Sequence, residues 1–223
     1  MHTILDWRRI DTVLLDMDGT LLDLHFDNHF WLEHVPRRYA EKHGLSFEQA
    51  RDTLLGRYRA VEGTIDWYCL DYWSDELQMD IAQLKEEVDH LIAVHPHVIE
   101  FLEALKRAGK RRILVTNAHG KAIALKMRRT PIGEHLDSVI CAHEFGAPKE
   151  DQRFWERLQG REPFARQSTL LIDDSLAVLR SAKRYGIEHL LAVRRPDSKQ
   201  APREVSEFPS VEHFRELLPQ LRG

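Results

Sequence analysis

Short apolar runs without polar alternation recur along the 223-residue chain. Runs of this kind are typical of strands that are buried on both faces of a parallel sheet. They predict five strands, over residues 12–15, 112–115, 138–141, 169–172 and 190–193. Most of the intervening segments have helical periodicity, and strands that alternate with single helices indicate right-handed crossovers. The sequence therefore predicts an α/β fold, with a three-layer, Rossmann-like core around a parallel sheet.

The predicted core helices each stop at a glycine or a proline, which commonly end helices. They cover residues 98–108, 122–129, 152–158 and 176–185. The tail from Pro196 to Gly223 is predicted to form one short helix.

One long stretch breaks the alternation, because only helical patterns occur between the first two predicted strands. The patterns cover residues 28–42, 46–59, 66–77 and 80–93. Ser46 with Gln49 resembles a capping box, and Asp80 with Gln83 is a weaker candidate. We expect a small helical cap over residues 25–94, inserted after the first strand of a core formed by residues 1–24 and 95–223. Its hinges should fall near residues 24–28 and 94–97.

Charge and hydropathy restrict the possible partners. The chain has 32 Lys and Arg against 36 Asp and Glu, a formal net charge of −4, and its basic residues occur in scattered pairs. A nucleic-acid polymer is therefore not an expected partner. No signal peptide is apparent, and no segment approaches the roughly 20 apolar residues of a membrane span. We expect a cytoplasmic protein without a membrane partner; the sequence leaves its oligomeric state open, and a monomer is compatible with it.

The cysteines and histidines suggest no metal site. Cys69 and Cys141 are far apart and form no CxxC pair, so we expect both to be reduced packing residues. The thirteen histidines include no HExxH motif, and a proline separates His95 from His97.

The strongest chemical signal is Asp16-Met17-Asp18-Gly19-Thr20, directly after the first predicted strand. Residues two apart in an extended chain project to the same side, so both carboxylates should face one site. One carboxylate can attack a phosphoryl group while the other handles protons. Two carboxylates would repel a phosphate dianion, so this chemistry requires a cation. Mg²⁺ is the expected cofactor.

Polar groups follow three other predicted strands. Asp173 and Asp174 would supply further metal ligands, since they end another buried strand. Thr116 and Asn117 end a second strand, where a hydroxyl and backbone N–H groups can bind phosphoryl oxygens. Lys149 would supply a fixed positive charge. The carboxyl ends of parallel strands meet at one edge of the sheet, so we expect these groups to converge there.

Aromatic residues are densest over residues 66–74. Cap core is the simpler interpretation of this segment. The alternative is that one of four rings stacks on a flat base, as aromatic faces do without base preference. The candidate rings are Phe26, Trp31, Tyr68 and Tyr72.

These motifs together resemble those of the haloacid dehalogenase (HAD) superfamily of phosphatases. The resemblance rests on the Asp16 to Thr20 motif, Thr116, Lys149 and the pair Asp173-Asp174. It implies a parallel-sheet core with a helical C1-type cap. Longer segments resemble bacterial 5′-nucleotidases that act on GMP and IMP: residues 14–31, 67–74, 145–155 and 171–175. This implies a purine nucleoside 5′-monophosphate as substrate.

The resemblance also implies roles for the first motif. Asp16 would be the nucleophile and a metal ligand. Asp18 would be the general acid and base, and its backbone carbonyl would also contact Mg²⁺. Superfamily members that cleave carbon–halogen bonds generally lack an acid at the position of Asp18, so a dehalogenase is not expected.

The remaining motifs receive supporting roles from the same resemblance. Thr116, Asn117 and Lys149 would hold the phosphoryl group. The pattern favours Asp174 as a direct metal ligand and Asp173 as a water-mediated or orienting partner.

Three alternatives stay open at the level of sequence. The substrate could be a small sugar phosphate or carboxylate phosphate, with the cap rings serving only as core. The phosphoryl group could pass to an acceptor sugar instead of water. The chain could also be a catalytically idle module that binds phosphate.

Overall fold

The computed structural model describes residues 5–221, and within them the core is a six-stranded parallel sheet of order β3-β2-β1-β4-β5-β6. The strands are β1 (Thr12–Leu15), β2 (Arg111–Thr116), β3 (Ser138–Cys141), β4 (Thr169–Asp173), β5 (His189–Val193) and β6 (Ser210–Val211). The five predicted strands are confirmed. The sequence did not predict β6, since two residues are too few for a pattern.

Helices cover both faces of the sheet and one end of it. They are α1 (His25–His29), α2 (Val35–His43), α3 (Phe47–Val61), α4 (Leu70–Leu77), α5 (Ile81–Glu87), α6 (Val98–Arg107), α7 (Gly120–Arg129), α8 (Gln152–Arg161) and α9 (Leu176–Tyr185). Among residues 5–221, no helix combines the length and the apolar character that crossing a membrane requires.

The three-layer arrangement follows from the period-two alternation of buried strand residues. In β1, Val13 and Leu15 pack in one apolar cluster, together with α6 and the segment around Phe214. Leu14 points to the opposite face, where it packs with α8 and α9. The strand is therefore buried on both faces, as the apolar run predicted.

The helical segment between β1 and β2 has a third apolar cluster, built mainly from residues of α1 to α5 and completed by Ala122 and Leu125 of the core helix α7. Its two connections to the core lie side by side. The Asp23 N–H donates to the Ala93 carbonyl at 2.9 Å, and the His95 N–H donates to the Leu21 carbonyl at 3.0 Å. The predicted domain boundaries, after residues 24 and 94, fall at this pairing and stay predictions.

A π-helical turn, Phe30–His34, joins α1 to α2 without a break. Pro36 lies in the first turn of α2. A proline inside a helix removes one hydrogen bond and crowds the carbonyl four residues earlier, and a wider turn relieves that crowding. The predicted helix over 28–42 therefore forms, with this local widening.

Several predicted helix ends were wrong. α8 continues through Gly160 to Arg161, so that glycine does not end the helix. The pattern over 66–77 divides at Cys69, where the backbone is extended (ψ 113°). The pattern over 80–93 gives α5 and a separate short 3₁₀ turn, Asp89–Leu91. The tail forms β6 and two 3₁₀ turns, Phe214–Glu216 and Leu218–Leu221, and residues 222–223 lie outside the described residues.

The capping box at Ser46 is confirmed, since Ser46 and Gln49 each accept from the other's backbone N–H. The Asp80 side chain accepts from the Gln83 N–H at 2.9 Å.

Candidate active site

The predicted site residues converge at the carboxyl end of the sheet. Asp16 directly follows β1, Thr116 is the last residue of β2, and Asp173 is the last residue of β4. They line one cavity of about 450 Å³ between the sheet and the helical segment. This volume lies within the roughly 300–1,000 Å³ of typical ligand pockets. Asp18, Asn117, Lys149 and Asp174 also line it.

Lys149 joins two of the carboxylates. Its ammonium donates to Asp16 Oδ1 at 2.5 Å, to Asp173 Oδ2 at 2.7 Å and to the Val115 carbonyl at 3.1 Å. All three ammonium protons are thus used, in a site where the lysine is 2% exposed. The two carboxylates outweigh burial and raise the pKa of Lys149, so it stays charged.

The three acidic side chains form a candidate divalent-cation site. One carboxylate oxygen each of Asp16, Asp173 and Asp174 lies within 4.8 Å of the others. Burial, despite the Lys149 charge, raises the pKa of Asp16 to about 6, and Asp173 adds to the rise. Burial and the charges of Asp16 and Asp173 raise the pKa of Asp174 well above its usual value. Excess negative charge of this kind favours a hard cation with oxygen ligands.

A close backbone approach supports the same site. Gly19 has φ +84°, and a Cβ there would lie 2.8 Å from Asp174 Cγ. The glycine therefore leaves room for the Asp174 carboxylate. Asp173 is already occupied on both oxygens, because Oδ1 accepts from the Ser175 N–H at 2.9 Å while Oδ2 accepts from Lys149. Asp174 is the freer ligand, with Arg203 Nη1 at 3.5 Å.

Asp18 belongs to a buried chain of four charges. Lys126 donates to Asp18 Oδ1 and to Asp27 Oδ2, each at 2.7 Å, and Lys85 donates to Asp27 Oδ1 at 2.6 Å. Both lysines are nearly fully buried. Burial raises the pKa of Asp18 to about 6; Lys126 opposes this rise, and the charges of Asp27 and Asp16 add to it.

Glu150 connects the core to the helical segment. It accepts from Asn117 Nδ2 at 3.0 Å and from the Tyr68 hydroxyl at 2.8 Å. Asn117 Oδ1 accepts from the Lys149 N–H at 2.8 Å. The Asn117 side chain therefore positions Lys149 and Glu150, and a contact of Asn117 with phosphate stays a prediction.

Aromatic rings also line the cavity. Of the four candidate rings, Trp31 and Tyr68 line the cavity, together with Tyr58, Trp67 and Trp73. Phe26 is buried in the apolar cluster of the helical segment, 1% exposed, and does not line the cavity. Tyr72 also lies outside the lining. We therefore no longer expect Phe26 or Tyr72 to contact a substrate.

Four further residues of the site were not predicted from the sequence: Asp27, Lys85, Lys126 and Glu150. One signal was available for Lys126, which follows Ala122 by four residues and so shares the buried face of α7. A lysine on a buried helix face needs a carboxylate partner, but nothing in the sequence identified Asp18 and Asp27 as that partner.

The family assignment follows from comparison with known proteins. A sequence profile of haloacid dehalogenase-like hydrolases matches residues 10–186. The chain belongs to the haloacid dehalogenase-like hydrolases. The prediction made from the strand-end motifs is therefore confirmed at the level of family and fold.

Two known proteins have sequences similar to that of this hydrolase, one over its full length and one over about two thirds of it. The GMP/IMP nucleotidase YrfG of Escherichia coli K12 is 44% identical over 221 residues, which cover 99% of this chain and 100% of that protein. The pyrophosphatase PpaX of Bacillus velezensis is 26% identical over 163 residues, 65% of each chain.

Solved structures support the HAD fold. The HAD phosphatase of Thermococcus onnurineus has a TM-score of 0.80 at 23% identity and covers 96% of this chain and 99% of its own. The HAD hydrolase YfnB of Bacillus subtilis has a TM-score of 0.68 at 19% identity, with 96% and 100% covered.

Proposed function

We propose that this hydrolase is a Mg²⁺-dependent 5′-nucleotidase that dephosphorylates purine nucleoside 5′-monophosphates, GMP and IMP first, through an aspartyl-phosphate intermediate. One observation carries the proposal: the same cavity is lined by carboxylates and a lysine and also by aromatic rings. The charged groups suit a phosphate with its metal ion, and the rings suit a flat base. The name of the Escherichia coli relative supports the same substrate class.

The first half-reaction uses both carboxylates of the Asp16 motif. Asp16 Oδ1 accepts from Lys149, and the other oxygen attacks the phosphorus atom. The bond from phosphorus to O5′ of the nucleoside breaks, and Asp18 donates its proton to that leaving oxygen. A pKa near 6 suits this role, because the acid is then partly protonated near neutral pH.

In the second half-reaction, Asp18 takes a proton from water as the water oxygen attacks the phosphorus of aspartyl-phosphate. The bond between phosphorus and the Asp16 carboxylate oxygen breaks, which regenerates the free Asp16 carboxylate and releases phosphate. Asp16 and Asp174 would hold Mg²⁺, with Asp173 orienting and the Asp18 carbonyl adding a contact. When bound, Mg²⁺ would neutralise charge on the phosphoryl oxygens.

Thr116 would hold the transferred group by a hydrogen bond, and Lys149 would hold it by its charge. The Thr116 side-chain oxygen accepts from the Ala118 N–H at 3.0 Å, so its own proton is free to point at a phosphoryl oxygen. Lys149 supplies a positive charge that burial and two carboxylates keep fixed. Donors that are fixed in advance stabilise the transition state without reorganisation.

A phosphate-release assay with and without Mg²⁺ tests the chemistry. We expect Asp16→Asn to lower kcat for GMP by roughly 10⁴-fold or more, as the loss of a nucleophile does, and EDTA to abolish turnover until Mg²⁺ is restored. Asp11→Asn is the matched control, since Asp11 is an exposed carboxylate at the other end of β1. Substantial turnover by folded Asp16→Asn protein would reject the nucleophile.

A substrate panel tests base recognition. Trp31→Ala should raise KM for GMP by roughly 5- to 150-fold, the equivalent of about 1–3 kcal/mol of stacking. KM for ribose 5-phosphate should not change. Tyr72→Ala is the control from the same helical segment. Equal kcat/KM for GMP and ribose 5-phosphate in the wild type would favour a small sugar phosphate instead.

A further inference from the structure

Three metal-ligating side chains meet outside the carboxylate site. Cys69 Sγ and one ring nitrogen each of His119 and His143 lie within 4.8 Å of one another. Cys69 belongs to the helical segment, whereas both histidines belong to the core. The residues are 50 and 24 positions apart in sequence, so no local motif could indicate them.

Backbone N–H groups orient two of the three side chains, those of Cys69 and His119. Cys69 is the N-cap of α4, and its Sγ accepts from the Tyr72 N–H at 3.4 Å. His119 is the N-cap of α7, and its Nδ1 accepts from the Lys121 N–H at 3.4 Å. His143 lies in the 3₁₀ turn that follows β3. Side chains that are oriented before the ion binds lose less conformational entropy on binding.

His143 gives an independent indication of a ligand. Its Nε2 is buried and makes no hydrogen bond of ordinary geometry within residues 5–221, although the backbone of Asn117 and of Tyr68 approaches the ring. The ring packs edge-on against His119 with centroids 5.0 Å apart. A neutral imidazole has one lone pair that a metal can use; His119 now uses it to accept from the Lys121 N–H, so binding an ion costs that 3.4 Å hydrogen bond.

We propose that Cys69, His119 and His143 form a Zn²⁺ site that joins the helical segment to the core. One thiolate and two imidazoles are the donors that zinc prefers, and Mg²⁺ does not compete well for them. A tetrahedral zinc ion needs ligand atoms spaced by roughly 3.3–3.6 Å. The three ligand atoms lie within 4.8 Å of one another, so they need to approach by at most about 1.5 Å, which side-chain rotation supplies. The thiol proton passes to the solvent on binding.

The ion would also restrain the cavity. Tyr68, next to Cys69, already bonds to Glu150 of the core, and a metal bond through Cys69 would hold the same edge shut. Zn²⁺ would then slow substrate entry or product release. This consequence rests on the proposed nucleotidase function, whereas the binding of the ion does not.

Cobalt titration of the full chain tests the site directly. With Mg²⁺ in excess, we expect Co²⁺ to produce a sulfur-to-metal charge-transfer band that saturates at one Co²⁺ per chain and is displaced by Zn²⁺. Cys69→Ser should abolish the band, and serine preserves the helix cap. The matched control is Cys141→Ser, which removes the other thiol and should keep the band.

A ligand variant and a kinetic measurement complete the test. His143→Gln should weaken Co²⁺ binding by roughly tenfold or more, since even outer-shell losses cost 10–100-fold. Zn²⁺ should slow GMP hydrolysis in the wild type and in Cys141→Ser but not in Cys69→Ser. A missing band, or a band that survives Cys69→Ser, would overturn the site, and equal zinc inhibition in both cysteine variants would overturn the restraint. If no phosphomonoester is hydrolysed, the nucleotidase proposal fails while the cobalt band still decides the site.

Discussion

Replacing Asp27 by Asn should lower the free energy of unfolding by about 3–5 kcal/mol, the usual cost of breaking a buried ion pair from one side. Asp27 lies between the ammonium groups of Lys85 and Lys126, at 2.6 and 2.7 Å, and its side chain is only 17% exposed. With Asp18, the four groups carry two positive and two negative charges. The substitution leaves two buried cations with one anion.

Lys85→Met should cost a similar amount, because it leaves two anions with one cation. The double variant removes one charge of each sign and leaves the balanced pair of Lys126 and Asp18, 2.7 Å apart. The methionine also keeps the packing against the rings of Phe26 and Phe30, over which the ammonium lies. We therefore expect the double variant to cost no more than either single variant, a coupling energy of about 3–5 kcal/mol.

Urea unfolding at pH 7, followed by tryptophan fluorescence, measures all four proteins of the cycle. The control cycle is Glu33→Gln with Arg37→Met, an exposed pair 3.7 Å apart on the same helical stretch, whose coupling should stay below about 0.5 kcal/mol. If the effects of Asp27→Asn and Lys85→Met simply add to within about 0.5 kcal/mol, the argument from charge balance is refuted.

The difference in the free energy of unfolding between the wild type and Asp27→Asn should depend on pH. Burial alone would raise the pKa of Asp27, but the charges of Lys126 and Lys85 outweigh it and lower that pKa. A carboxyl group with a depressed pKa stabilises the fold above its unfolded pKa of about 4 and loses that effect as the pH falls. The stability gap between wild type and Asp27→Asn should therefore narrow below about pH 4, and a gap that widens there would contradict the sign.

Three further outcomes are expected from the site. Gly19→Ala should weaken Mg²⁺ binding in calorimetry, because the added Cβ would crowd Asp174. The control is Gly44→Ala, which also has a positive φ but has open space around it, so it should cost only the backbone strain of about 1–2 kcal/mol. Equal Mg²⁺ affinity in both variants would contradict the crowding. Mg²⁺ affinity should fall as the pH drops below about 6, since protons then compete for Asp16; an affinity unchanged between pH 7.5 and 5.5 would argue against that pKa. Tyr68→Phe removes one hydrogen bond to a core carboxylate and should cost about 1 kcal/mol in unfolding experiments, and an unchanged midpoint would show that this bond adds no net stability.

The sheet and its strand-end motifs were readable from the sequence for a physical reason. A strand buried on both faces must be apolar at every position, as Val13, Leu14 and Leu15 are. Parallel strands then bring their carboxyl ends together, so Asp16 and Asp173 meet without further information.

The row of four buried charges that includes Asp18 could not be predicted from the sequence, because its members come from four separate segments of the chain. Lys85 and Lys126 occupy helical patterns in which lysine normally faces solvent. Their burial depends on Asp27, which the sequence presents as one more polar residue of α1. Likewise, the division of the helix at Cys69 depends on tertiary contacts, since helical periodicity continues across it.

The widened turn before α2 carries a consequence for how substrate choice can change. Trp31 and Leu32 sit in that turn and line the cavity, while Pro36, whose ring accounts for the turn, does not line it. The backbone of this turn positions the Trp31 side chain against the cavity. A substitution of Pro36, which does not line the cavity, can therefore alter substrate selectivity by changing the geometry of this turn and with it the position of Trp31 in the cavity wall.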